Sequence, residues 1–283
     1  MLLRLISLNV LATALLSPMA EAGSCVWKVM AADGHVLYLG GSIHALAPSD
    51  YPLPSAYNRA FDASARLVFE DDPKTSEQAT NDLLKAGRYP RGDSLKNHVD
   101  ARTYDYLQRF FSIRKVPMDK VNSFRPWLID LLLSSPSSES FNLGVERFLE
   151  RRARGNSKPI SGLESASEHN RVFVGLSDRQ SEALLLVLFI NAGRETARGF
   201  DIMKAWRRGD ADSLARMMDD SFRDFPAMGA RMLEARNRAW MPKIEGYLRS
   251  GQTCFVVVGA AHLGGSNGLV SLLRARGCQM EQL

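Results

Sequence analysis

The sequence predicts an α/β fold, a sheet with helices of the α+β kind around a helical middle. Three observations carry this. Short apolar runs alternate with stretches of helical period. The run in "VLYLGGSIH" (36–44) and the run in "CFVVVGAAHLGG" (254–265) both end in Gly-x-x-His. And 283 residues of ordinary apolar and charged content can bury a full core.

The elements follow in order. Residues 1–22 carry a basic Arg4, an apolar run over 5–16 and a closing Ala20-Glu21-Ala22. That is the grammar of a secretory signal peptide, with the run too short to span a bilayer. A lipoprotein signal with Cys25 as the acylated residue is the rival, and Ala22 argues against it. The mature domain is then 23–283. Asp33-Gly34 marks a hairpin turn, with a second strand over 36–39. Pro54 suits a first helical turn, and Ala56, Tyr57, Ala60 and Phe61 form a helical stripe. A strand over 65–69 brings Glu70 to its end. Residues 83–141 read as mostly helical, interrupted by Pro90-Arg91-Gly92-Asp93, Pro117, Pro126 and "SSPSSES". Asp100 or Asn97 caps a helix carrying Tyr104, Leu107, Phe110 and Phe111. A helix through Val145, Phe148 and Leu149 stops at Gly155-Asn156, and a strand over 159–163 delivers Glu164. Helices follow over 178–197, 200–206 and 211–218. One long amphipathic helix is expected over 231–248. Gly251 ends it, the strand 254–258 leads to His262, and a helix, a Gly277 stop and a terminal strand close the chain.

Charge and cysteines narrow the function. The net charge of +5 is modest, and the basic residues are scattered among acids. Solvated helix faces account for them, so nucleic acid is not an expected partner. Beyond the signal no segment is long and apolar enough to cross a membrane. Export places the chain in the periplasm or outside the cell, where thiols oxidise. Of Cys25, Cys254 and Cys278, a Cys25–Cys278 bridge stapling the termini is preferred over Cys25–Cys254. No C-x-x-C spacing supports a cysteine zinc site.

His44, Glu70, Glu164 and His262 all stand at the carboxyl ends of expected strands, where α/β sheets build ligand sites. Two imidazoles and two carboxylates suit a divalent Zn, Mn, Co or Fe(II) with positions open for water. Bound water loses its proton near neutral pH, and a spare carboxylate serves as base. Each residue also has a plainer reading: a satisfied core histidine for His262, a surface carboxylate for Glu70, a helix N-terminal acid for Glu164. Recurrence of the motif at His44 favours function. His35 is expected in an exposed turn, His98 and His169 on polar surface, and "GGSNG" (264–268) as a flexible loop.

Together the paired Gly-x-x-His motifs, "YPLP", "FEDD", "GLES", "EARNRAW" and "VGAAHLGGSNGLVSLLRARG" resemble the TraB/GumN family, related to the TIKI metalloproteases. The resemblance runs from Val26 to Leu283 and is most specific near the C-terminus. It implies pseudo-twofold halves with one Gly-x-x-His each, and a peptidase using manganese or cobalt. It implies His44 and His262 as metal ligands, Glu70 as ligating or catalytic acid and Glu164 as a second acid. Arg236 and Asn237 match its Arg-Asn helix and would orient a carboxylate, bind substrate or pack. "GVERF" departs from it, with Glu146 where the family often has Asp, which counts against a role there.

The expectation is therefore an exported hydrolase, a peptidase, with a divalent metal (Mn, Co or Zn) and a peptide or other small substrate. The alternative is a non-catalytic envelope protein that holds a peptide, a metal complex or haem in the same cleft. A third option is an interaction protein whose histidines only pack the strand ends.

Overall fold

The computed structural model describes residues 23–192 and 195–283; the expected signal peptide lies outside the described residues. Six strands form one sheet: β1 Val26–Met30, β2 Val36–Ser42, β3 Arg66–Asp71, β4 Ile160–Glu164, β5 Cys254–Gly259 and β6 Gln279–Gln282. Their spatial order is β4-β3-β5-β2-β1-β6. β4, β3, β5 and β2 run parallel, and β1 pairs antiparallel with both β2 and β6. The expected mixture of sheet and helix is thus present. β5 is central and nearly wholly buried, which explains its unbroken apolar run.

The two Gly-x-x-His strands are direct neighbours. Ser42 pairs with Gly259 across the β2–β5 ladder, so both motifs leave the sheet at one edge. Asp71 pairs with Glu164 at the same edge on β3 and β4. The parallel arrangement gathers all four strand ends together. Tyr57, from the buried stripe of helix Ser55–Ala63, donates its hydroxyl to the Gly41 carbonyl. Trp206 Nε1 donates to the same oxygen at 2.9 Å, which ties the helical middle to the end of β2.

Several elements differ from expectation. Pro54 is the N-cap of its helix and not part of the first turn. Asp100, not Asn97, caps helix Ala101–Ile113 by accepting from Arg102 N. Helices over 178–197 and 200–206 are instead Asp178–Ala192 and Glu195–Arg207. The single helix over 231–248 is two, Pro226–Met232 and Glu234–Arg249, meeting at Leu233 with φ −114° and ψ −68°. A helix with no counterpart among the expected elements spans Ala166–Val174, started by a capping box between Ser165 and Glu168. The 264–268 loop is held in place: Gly265 N donates to Asp212 Oδ1 at 2.8 Å and Asn267 O accepts from Asn237. No described helix is long and apolar enough to cross a membrane.

The expected Cys25–Cys278 bridge does not form, and all three cysteines are free thiols. Register explains it. Met30 pairs with Gln279, so Cys278 arrives beside the far end of β1 from Cys25. That is about 20 Å of strand, against a disulfide reach of about 7 Å between Cα atoms. Cys254 fares no better, because β2 pairs Phe255 with Tyr38 and Gly41 donates to the Cys25 carbonyl. Those contacts put Cys254 and Cys25 near opposite ends of β2, on the two strands that flank it.

Candidate functional site

Glu70 and Glu164 stand side by side at the ends of β3 and β4, each only 8% exposed. Two buried carboxylates at this spacing need a cation between them. Arg236, in the first turn of helix Glu234–Arg249, supplies it. Its Nη2 donates to Glu70 Oε2 at 2.5 Å and to Glu164 Oε1 at 2.7 Å. Nε adds a second bond to Glu164 Oε1 at 3.2 Å. One turn on, Trp240 donates Nε1 to Glu164 Oε2 at 3.1 Å, and its ring carries the guanidinium 4.5 Å above its centre. Burial works to raise both carboxyls. For Glu70, Arg236, the two histidines and the Gly259 N–H outweigh it; for Glu164, His169 and Arg236 do, so both sit below the usual range.

Both hydrogens of Arg236 Nη2 are thereby used. His169 Nδ1, 2.9 Å from Glu164 Oε1 and 3.0 Å from Nη2, is then the donor to Glu164. Sequence reading placed His169 on the surface. The capping box at Ser165 is the signal that would have found its helix, and with it an imidazole one turn after Glu164.

His262 is buried, and Asn237 fixes its tautomer. Asn237 Nδ2 donates to the carbonyls of His262 and Asn267, so its Oδ1 faces His262 Nδ1 at 2.7 Å and must accept. Nε2 therefore keeps the lone pair, and Arg236 Nη1 lies 3.3 Å from it. Burial pushes His262 down to about 4, with Arg236 and His44 helping and the two glutamates opposing, so the ring is neutral at neutral pH.

His44 lines the cavity, and 65% of its side chain is exposed. Its Nδ1 lies 2.9 Å from Glu146 Oε1, which also accepts from the Ser42 hydroxyl. The charge and hydrogen bond of Glu146 raise His44 to about 9 against burial. Burial likewise opposes the Glu146 charge, but His44 and Ser42 hold its carboxyl low. Glu146, which the motif comparison counted against, is thus part of the cluster. From helix Val145–Gly155 its carboxylate reaches both His44 and Ser42.

Three imidazoles consequently share one pattern. Each has Nδ1 pinned by an oxygen, from Glu146, Glu164 or Asn237, and each presents Nε2 as its other face. His44, Glu70, Glu146, His169, Arg236 and His262 all line one cavity of about 950 Å³, while Glu164 does not reach its wall. His98 belongs elsewhere: it lies between Asp93 and Asp178 at 2.7 and 2.8 Å and joins two segments of the helical middle.

Two places offer ligand atoms to a metal. Among the described residues, Glu70, Glu164 and His169 have ligand atoms within 4.8 Å of one another. Arg236 Nη2 already bonds both of those carboxylates, so an ion there displaces a guanidinium. The second place surrounds Gly259. A Cβ built there would lie 3.3 Å from Glu70 Oε1, 3.6 Å from His262 Cδ2 and 3.9 Å from His44 Nε2. Glu70 Oε1 and His262 Nε2 are 3.8 Å apart, a spacing two ligands of one ion can span. The glycine leaves open the space on which both motif histidines and Glu70 converge.

Neither a curated protein nor a solved structure matches the chain. Residues 25–282 match the model of the TraB/PrgY/gumN family.

Proposed function

The chain belongs to the TraB/PrgY/gumN family, and from that premise and the strand-end cluster we propose an exported metal-dependent hydrolase, a peptidase by its resemblance to TIKI-type enzymes. The observation that carries the reading is the convergence of His44, Glu70 and His262 around Gly259. These residues fit a divalent ion: each histidine has Nδ1 pinned by an oxygen partner, the usual support of a metal-ligating imidazole. Mn, Co or Zn suits this donor set, and when bound such an ion supplies an activated water and polarises a carbonyl.

The chain's own groups have separable tasks. Glu70 is the ligating or basic carboxylate, held ionised by Arg236. Glu164 accepts from Arg236, His169 and Trp240, which makes it the anchor that positions Arg236. Arg236 reaches the cavity wall and is placed to orient a substrate carbonyl or carboxylate. Glu146 keeps His44 Nδ1 occupied, so Nε2 is the atom offered to the cleft, and a metal bound there would displace the proton that Nε2 carries at neutral pH.

Metal titration of the purified protein, beside His44→Ala and His262→Ala, tests the reading. Stoichiometric Mn, Co or Zn that is lost in both variants, each still folded, is the expected result. Full metal binding by both variants overturns it. The alternative of a non-catalytic binder uses the same cleft. It gains if metal-loaded protein cleaves no peptide and added haem gives a Soret band that His44→Ala abolishes.

A further inference from the structure

The cavity of about 950 Å³ is far larger than the polar cluster requires. Its floor is the strand-end edge. Its walls come from the helical middle, and they are mostly apolar, with Phe173, Ile202, Leu214, Met218, Phe222 and Met232 among them. Several polar side chains of this wall are already turned to backbone, and Arg147 and Glu150, which also line the cavity, bond each other at 2.8 Å. Asn170 Nδ2 donates to Ala79 O at 2.7 Å, Ser134 Oγ to Asp130 O at 2.7 Å and Ser221 Oγ to Met217 O at 2.8 Å. A peptide backbone laid along such a wall would bury N–H and C=O groups without partners. A hydrocarbon chain buries none, and unbranched methionines adapt to its shape.

We infer that the site takes ligands carrying an acyl chain, with the methylenes along the Met218–Met232–Phe173 wall and the chain's carbonyl group at the floor beside Glu70 and His262. The fate of that carbonyl rests on the hydrolase reading above; the seating of the chain does not. A cavity of this kind is apolar over most of its area with a few convergent polar groups at one end, the usual layout of a small-molecule site.

Calorimetric titration of the purified protein with hexanoate, octanoate, decanoate and dodecanoate, each below its micelle concentration, tests this. Affinity should tighten about fourfold per added methylene while the chain still finds wall. Met218→Trp should weaken dodecanoate by tenfold or more and leave hexanoate nearly unchanged, and Met218→Leu should restore the series. Affinity that does not change with chain length overturns the proposal, as does an apolar peptide that binds more tightly than dodecanoate. If Met218→Trp fails to fold, the length series on the unmodified protein still decides. His44→Ala should keep the length dependence. Hydrolysis that survives His44→Ala unchanged, with that dependence intact, removes the hydrolase reading and leaves the acyl site standing.

Discussion

Arg236 balances the charge of the cluster. Its guanidinium is the counter-cation of two buried glutamates and the neighbour of His262 Nε2 at once. Replacing it with the apolar Arg236→Met leaves Glu70 and Glu164 facing each other without a cation. Breaking a buried pair in this way costs about 3–5 kcal/mol. Urea unfolding at neutral pH should show that loss, and added Mn should restore part of it by entering the vacated place among Glu70, Glu164 and His169. A variant as stable as the parent, with no response to Mn, would show that the carboxylates do not depend on Arg236. His262 makes a second prediction at this scale. In the fold it stays neutral down to about pH 4, whereas its ordinary value is 6.5. Between those values the unfolded chain binds the additional proton, so stability falls as the pH drops through that window. The loss is about 3 kcal/mol in all. Unfolding midpoints measured with a chelator present should decline from neutral pH toward acid. His262→Gln should flatten the part above about pH 5, before the carboxylates titrate.

At the scale of elements, the site depends on how closely helix Val145–Gly155 approaches the end of β2. Val145 N donates to Ile43 O at 3.1 Å, and Gly144 is the N-cap. A Cβ at Gly144 would stand 2.2 Å from His44 O, a backbone atom, so Gly144→Ala must push the helix or the His44 segment away. Overpacking of this sort costs about 1–3 kcal/mol. The sharper readout is the His44 imidazole titration followed by NMR. Separation from Glu146 removes the largest upward influence, so the value should drop from about 9 toward 6.5. An unchanged titration would mean that the helix moves without carrying Glu146 off. The break at Leu233 matters in the same way. It starts a fresh helix whose first turn, directed at the strand ends, holds Arg236 and Asn237, and whose second holds Trp240.

For the whole molecule, the parallel order β4-β3-β5-β2 makes one edge chemical and leaves the other to loops. The antiparallel closure by β1 and β6 brings the two ends of the described domain together without a disulfide. Ser24 N donates to Leu283 O at 2.7 Å, and Leu283 N to Val26 O at 2.9 Å. Cys25 is buried, and burial together with the Asp210 charge pushes its thiol up to about 12, so it is a core residue and not a reactive one. Adding reductant should therefore leave the melting temperature of the oxidised, purified protein unchanged. A drop of several degrees would reveal a bridge and a different pairing of β1 with β6.

Local sequence determined the strands, because apolar runs ended by small residues and an imidazole have few other uses. It also picked out His44, Glu70, Glu164 and His262 as a set, since strand ends in such folds point to one edge, while Arg236 came only from the family resemblance. What it did not carry was distance across the chain. His169 read as surface because its neighbours are polar, yet helix Ala166–Val174 lays it against Glu164. Glu146 read as a departure, yet only the packing of its helix on the His44 segment shows that it reaches His44 and Ser42. The cysteine pairing failed for the same reason: register, not proximity of the termini in sequence, sets which residues meet. Residue type and period are local and legible. The cation between two buried acids, the tautomer of His262 and the apolar wall above them arise only from contacts between segments far apart in the chain.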